Sequence, residues 1–170
     1  MLINIFYKLE LNNLEILSAD LGALLQKNKM FFTSAESCTG GLLSQSIVSV
    51  PGSSAWFSCS FITYSNISKH KILGVSKDTL KSFGAVSEEV VEEMVTGALD
   101  ESHADLGIAI SGIAGPGGGT ADRPVGTVCI AWKLKGNKAK KLTFLFKGNR
   151  NEVRYKTVIK GLEGAIELLK

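Results

Sequence analysis

The chain has 170 residues, 45% of them apolar and 21% charged, which is ordinary globular usage and excludes wholesale disorder. At that length one domain is expected, with core enough to fold without disulfides or metals. A net charge of +3, from 19 basic and 16 acidic side chains, is too small to argue for a nucleic-acid partner, and no apolar run reaches the roughly 18–20 residues of a membrane span.

Residues 1–12 read as a short N-terminal appendage, and 13–170 as a single domain. Met1 to Tyr7 is apolar but has neither a basic n-region nor a small-residue cleavage site, so a cytoplasmic protein is expected. Leu14, Leu17, Leu21, Leu24 and Leu25 follow helical spacing over 14–26. Met30–Ala35 reads as a short strand, and Thr39–Val48 as a helix ending before Pro51–Gly52. Trp56–Tyr64 is strand-like, with Phe57, Phe61, Ile62 and Tyr64 supplying β-type residues. Asn66–Leu73 and Lys77–Phe83 are short helices around Gly74. Ser87 caps a helix running to about Glu101, and two glutamates in its first turn suit the dipole. Leu106–Ile110 is a buried strand entering a glycine loop. Val125–Leu134 and Lys140–Phe146 are strands joined by a hairpin turn at Gly136–Asn137. Asn151–Leu169 is a closing amphipathic helix. The alternation of helices and strands, followed by a hairpin, predicts an α/β fold: a three-layer α/β/α sandwich with a mixed, mainly parallel sheet.

Cys38, Cys59 and Cys129 are odd in number and show no CxxC spacing, so neither a disulfide framework nor a zinc site is expected. His70 and His103 are too few for a histidine-based metal site. Carboxylates could still bind magnesium, and no cofactor is expected.

Four stretches could carry chemistry. Ala35-Glu36-Ser37-Cys38-Thr39-Gly40-Gly41 lies where a strand gives way to a helix, a place of unpaired N–H groups and positive dipole. A hydroxyl there can attack a carbonyl while N–H groups stabilise the oxyanion. From spacing alone, Ser37 or Thr39 as a plain helix cap is the commoner outcome. Cys38 is a rival nucleophile, because helix N-termini lower thiol pKa values. In the second stretch, Thr63-Tyr64-Ser65-Asn66-Ile67-Ser68-Lys69, Tyr64 and Lys69 straddle a strand-to-helix turn. A lysine whose pKa is lowered by burial can activate a serine without a histidine. A surface lysine is the ordinary alternative, and His70 and Lys71 stay open as bases. The third stretch, Ser111 to Thr120, contains Gly112, Gly115, Gly117, Gly118 and Gly119. It is neither a Walker A nor a dinucleotide fingerprint. It suits a small anion-binding loop. Finally, Arg150 in Lys147-Gly148-Asn149-Arg150 opens the last helix against its dipole, which makes it a candidate phosphate or carboxylate ligand.

The ordered set AESCTGG (35–41), VPGSSAWF (50–57), FITYSN (61–66), LGVS (73–76), GAVSEE (84–89), SGIAGPGGGTADRPVGTV (111–128) and GNRNEVR (148–154) resembles the C-terminal domain of the competence/damage-inducible protein CinA. It also resembles the domain's stand-alone relatives, the nicotinamide-nucleotide amidohydrolases. The resemblance spans about Leu14 to Leu169. It implies the same three-layer fold, a homodimer, and metal-independent hydrolysis of the carboxamide of nicotinamide mononucleotide to nicotinate mononucleotide and ammonia. Carried over by position, Ser37 is the nucleophile, with Tyr64 and Lys69 in proton transfer and Lys69 as the base. Cys38, Thr39, Gly40 and Gly41 surround the oxyanion. Ser111, Gly112, Gly115, Gly117, Gly118 and Arg150 hold the nucleotide. Two alternatives stay open: a nucleotide-binding module without turnover, and a cysteine hydrolase using Cys38.

Overall fold

A computed structural model describes the backbone of residues 2–170, with side chains from Asn13 onward. The first helix, α1, spans Leu2–Lys27. The side chains of the appendage expected over 1–12 lie outside the described residues. From Leu14 on, the helical leucine spacing does what it predicts: Leu14, Leu21 and Leu25 are buried against the sheet.

The sheet has five strands in the order β2-β1-β3-β4-β5. They are β1 Phe32–Glu36, β2 Phe57–Ile62, β3 Leu106–Gly112, β4 Thr127–Leu134 and β5 Lys140–Leu145. β1 pairs in parallel with β2 and with β3. β4 runs antiparallel to both β3 and β5. Every residue of β1 is buried, as expected of a central strand covered on both faces. The remaining helices are α2 Leu42–Val48, α3 Asn66–Leu73, α4 Lys77–Phe83, α5 Glu88–Asp100 and α6 Arg150–Leu168.

Side chains alternate between two cores. Leu106, Ile108 and Ile110 of β3 meet α1, α2 and α6 through partners such as Leu21, Leu43, Val158 and Leu162. Ala109 and Ala131 face α5, with Val91, Met94 and Val95. Gly107 lets α5 approach closely, since a Cβ there would lie 2.9 Å from Val95 Cγ2. The result is the expected three-layer sandwich. Four strands run one way and β4 runs against them.

This topology fixes where a site can form. From β1 the chain crosses by α2 to β2 on one side, then returns through α3, α4 and α5 to β3 on the other. β1 is therefore a topological switch point, and the crevice beyond its carboxyl end is the usual ligand position in such sheets. Glu36, Ile62 and Gly112 end the three parallel strands at that one edge. The loops after them carry Ser37, Thr63–Tyr64 and the glycine run.

Candidate active site

The first loop differs from the expected one. The helix predicted from Thr39 begins at Leu42, and its N-cap position is Gly41, which has no side chain to make a cap bond. Neither Ser37 nor Thr39 caps it. Gly40 and Gly41 take φ values of 57° and 93°, left-handed conformations that a side chain would strain. The cap is supplied from the strand instead. The fully buried Glu36 carboxylate accepts from the N–H groups of Gly41 (2.9 Å), Leu43 (3.2 Å) and Ser44 (2.9 Å), and from Ser44 Oγ (2.8 Å). The positive end of α2 is thereby occupied by a protein anion.

Ser37 follows Glu36 directly, and its N–H donates to the Ile110 carbonyl at 3.0 Å. Register pairing of Glu36 with both Ile62 and Ile110 brings the three loops together. Lys69 reaches across from α3. It is 1% exposed, and its Nζ donates to Ser37 Oγ at 2.9 Å, the Thr63 carbonyl at 2.8 Å and the Tyr64 carbonyl at 3.4 Å. Burial lowers its pKa to about 8, only partly offset by the nearby Cys38 sulfur. A neutral amine suits these partners. Above that pH, once the amine has lost its proton, two N–H bonds can serve the two carbonyls while the lone pair turns to the serine hydroxyl. Such an amine can take the hydroxyl proton directly.

The neighbouring bases are elsewhere engaged. His70 Nδ1 pairs with the Val75 carbonyl at 2.8 Å, and Lys71 is exposed. Tyr64 does not stand between Ser37 and Lys69. Its side chain is at the rim, where its hydroxyl accepts from Arg150 Nη2 at 3.3 Å. Cys38 is buried, and burial pushes its thiol up to about 12. The helix end that could have lowered it is occupied by Glu36, whose charge raises the thiol pKa further.

A cleft of about 260 Å³ opens above these groups. Ser37, Cys38, Tyr64, Lys69, Ser111, Gly112, Gly115, Gly117, Gly118 and Arg150 line it, together with Ala85 and Val86, which belong to the GAVSEE stretch but were not expected at the site. The lining includes the Arg150 guanidinium, the Lys69 amine and no carboxylate, which favours an anionic ligand. Thr39, Gly40 and Gly41 are not in the lining; they shape the turn beneath it. Ser111 Oγ is committed to the Ala85 carbonyl at 2.6 Å. Arg150 Nη1 donates to the Gly115 carbonyl at 2.8 Å, fastening the start of α6 to the glycine loop. The N–H groups of Ala114, Gly115, Gly117 and Gly118 donate to no protein acceptor among the described residues. Such a row of free amides can cradle an anion.

Sequence comparison places this architecture. Residues 14–169 match the model of the CinA C-terminal domain. The chain belongs to the CinA C-terminal domain family. It is 46% identical over 150 residues to the nicotinamide-nucleotide amidohydrolase PncC of Enterobacter agglomerans, covering 88% of this chain and 92% of that one. Identity to the protein of the same name from Pseudomonas putida is 46% over 152 residues, with 89% and 94% covered. Among solved structures, the competence/damage inducible protein CihA of Agrobacterium tumefaciens superposes with a TM-score of 0.91 at 38% identity, over 93% of this chain and 96% of that one. In this CinA-family member the cleft, the glycine loop and the Ser37–Lys69 contact all sit at one sheet edge.

Proposed function

We propose that the protein is a nicotinamide-nucleotide amidohydrolase, converting nicotinamide mononucleotide to nicotinate mononucleotide and ammonia. The observation that carries this reading is the direct contact of the buried Lys69 amine with Ser37 Oγ, 2.9 Å apart. The names of the PncC relatives support the substrate.

The steps follow from the residues. Neutral Lys69 takes the Ser37 proton, and Oγ attacks the carboxamide carbon. The N–H group of Cys38, in the cleft lining, and that of Thr39, next along the turn, are the oxyanion donors of this reading. Those of Gly40 and Gly41 are committed to the Ser37 carbonyl and Glu36 Oε2. The tetrahedral centre collapses and the C–N bond breaks. Lys69 returns its proton to the nitrogen, and ammonia leaves. Water then loses a proton to Lys69 and attacks the ester. On collapse the proton passes to Ser37 Oγ, releasing the acid. The free amides of the glycine loop and the Arg150 guanidinium hold the phosphate. Losing one oxyanion donor typically costs about 10²–10³ in rate, so a hole of this kind accounts for several kcal/mol of barrier.

The test is ammonia release from nicotinamide mononucleotide, with and without chelator, by wild type and Ser37→Ala. Release by wild type alone, unaffected by chelator, is expected. Nucleotide binding without release by the wild type would replace the amidase with a binding module.

A further inference from the structure

Two charged side chains outside the cleft lining grip the nucleophile turn. Glu36 ties its far end to the strand, through Gly41 and Ser44. Arg154, on α6, takes the middle: Nε and Nη2 both donate to the Thr39 carbonyl, at 3.1 and 2.6 Å. A planar fork on one carbonyl fixes the direction of that peptide plane. The plane needs fixing, because the next residue is Gly40, which tolerates either sign of φ and so permits a flip. In the arrangement Arg154 holds, the Gly40 N–H turns inward to the Ser37 carbonyl at 3.1 Å. Within 37–41, only the N–H groups of Cys38 and Thr39 then meet no acceptor on another residue among the described residues.

We infer that Arg154 is a positioning residue for the reaction: by gripping the Thr39 carbonyl it holds the turn in the form that leaves the Cys38 and Thr39 N–H groups free for the oxyanion. The inference rests on the reading of Ser37 as nucleophile. It also gives α6 two separate duties. Arg150 faces the cleft and binds the substrate anion. Arg154, one helical turn later, touches no substrate and acts through the backbone.

The experiment compares Arg154→Ala, Arg154→Lys and Arg150→Ala with wild type, in steady-state kinetics and in hydrogen exchange of the 36–44 segment. A misplacement of about 1 Å can cost ~10²-fold in rate. Arg154→Ala is expected to lower kcat by that order with KM nearly unchanged, and to speed exchange in the segment. Arg154→Lys, which still brings one cationic donor to the carbonyl, recovers most of both. Arg150→Ala raises KM instead. An unchanged kcat in Arg154→Ala overturns the inference, as does a rise in KM alone, or equal losses in the Lys and Ala variants. If wild type releases no ammonia, or Ser37→Ala keeps full rate, the amidase reading fails. The exchange arm still decides whether Arg154 holds the turn, and unchanged protection in Arg154→Ala overturns that on its own.

Discussion

Lys69 Nζ sits 2.9 Å from Ser37 Oγ and faces no carboxylate in the cleft. Burial holds its pKa near 8, so below that pH the amine carries a proton and cannot take another. We expect kcat/KM to rise about tenfold per pH unit up to roughly pH 8 and then level off. Lys69→Arg, charged at every accessible pH, removes the activity. A profile flat between pH 6 and 9 would detach Lys69 from the base role.

The same lysine has a second, oppositely read consequence for stability. Its proton stays on up to 10.5 in the unfolded chain but only to about 8 in the folded one. Between those values the unfolded state binds more protons, so this group makes stability rise with pH across that window. Lys69→Met removes the contribution. Denaturant titrations at pH 7.5 and 10 on both proteins measure it, and a difference between them that does not change with pH contradicts the burial argument.

How much of this was legible in the sequence depends on how local each feature is. α3 and α4 start and stop where expected, because Ser65 and Ser76 stand immediately before them and accept from their first amides. Ser87 does the same for α5. The start of α2 was misplaced by three residues because its cap is not the preceding residue but Glu36, beyond an intervening turn. No local capping rule reaches that far. Ser37 and Lys69 were legible as chemistry, but their contact depends on β1–β2 pairing, which is not written in either motif. Arg154 closes the GNRNEVR stretch, yet its contact is not legible there, for a plainer reason. One arginine on an amphipathic helix reads as a solvated charge until the fold lays Thr39 beside it.

Glu36 accepts from four donors while completely buried. In Glu36→Gln the amide nitrogen is forced against N–H groups that need an acceptor. Hydrogen bonds to charged groups contribute about 1.5–3 kcal/mol, and an unmet buried donor costs a similar amount. We expect Glu36→Gln to lower unfolding free energy by about 2–3 kcal/mol, read from urea denaturation. A loss below about 0.5 kcal/mol, the range of ordinary surface changes, would mean that solvent already serves those amides.

Arg150 and Tyr64 touch each other at the rim, yet their variants should separate. Arg150→Ala removes the cation proposed to hold the substrate phosphate, and KM is expected to rise about tenfold or more, as for loss of a charge-assisted hydrogen bond. Tyr64→Phe removes only the hydroxyl that Arg150 touches, because the contact with Lys69 uses the Tyr64 carbonyl, which Phe keeps. Its kcat should stay within about tenfold of wild type, below the usual general-acid–base contribution of 10²–10⁴. A fall of that larger size would put the phenol back in the proton path.

Cys38 provides the remaining chemical alternative, and the structure gives it a sharp test. A thiol held near pKa 12 by burial is about one part in 10⁴ thiolate at pH 8, whereas reactive cysteines sit at roughly 3.5–7.5. Iodoacetamide at pH 8 should therefore leave ammonia release intact over times that modify a free thiol completely. Cys38→Ser should also retain activity, since the side chain belongs to the buried core at the cleft floor and the main-chain N–H is unchanged. Rapid inactivation by alkylation, with protection by nicotinamide mononucleotide and modification mapped to Cys38, would move the nucleophile one residue along the chain.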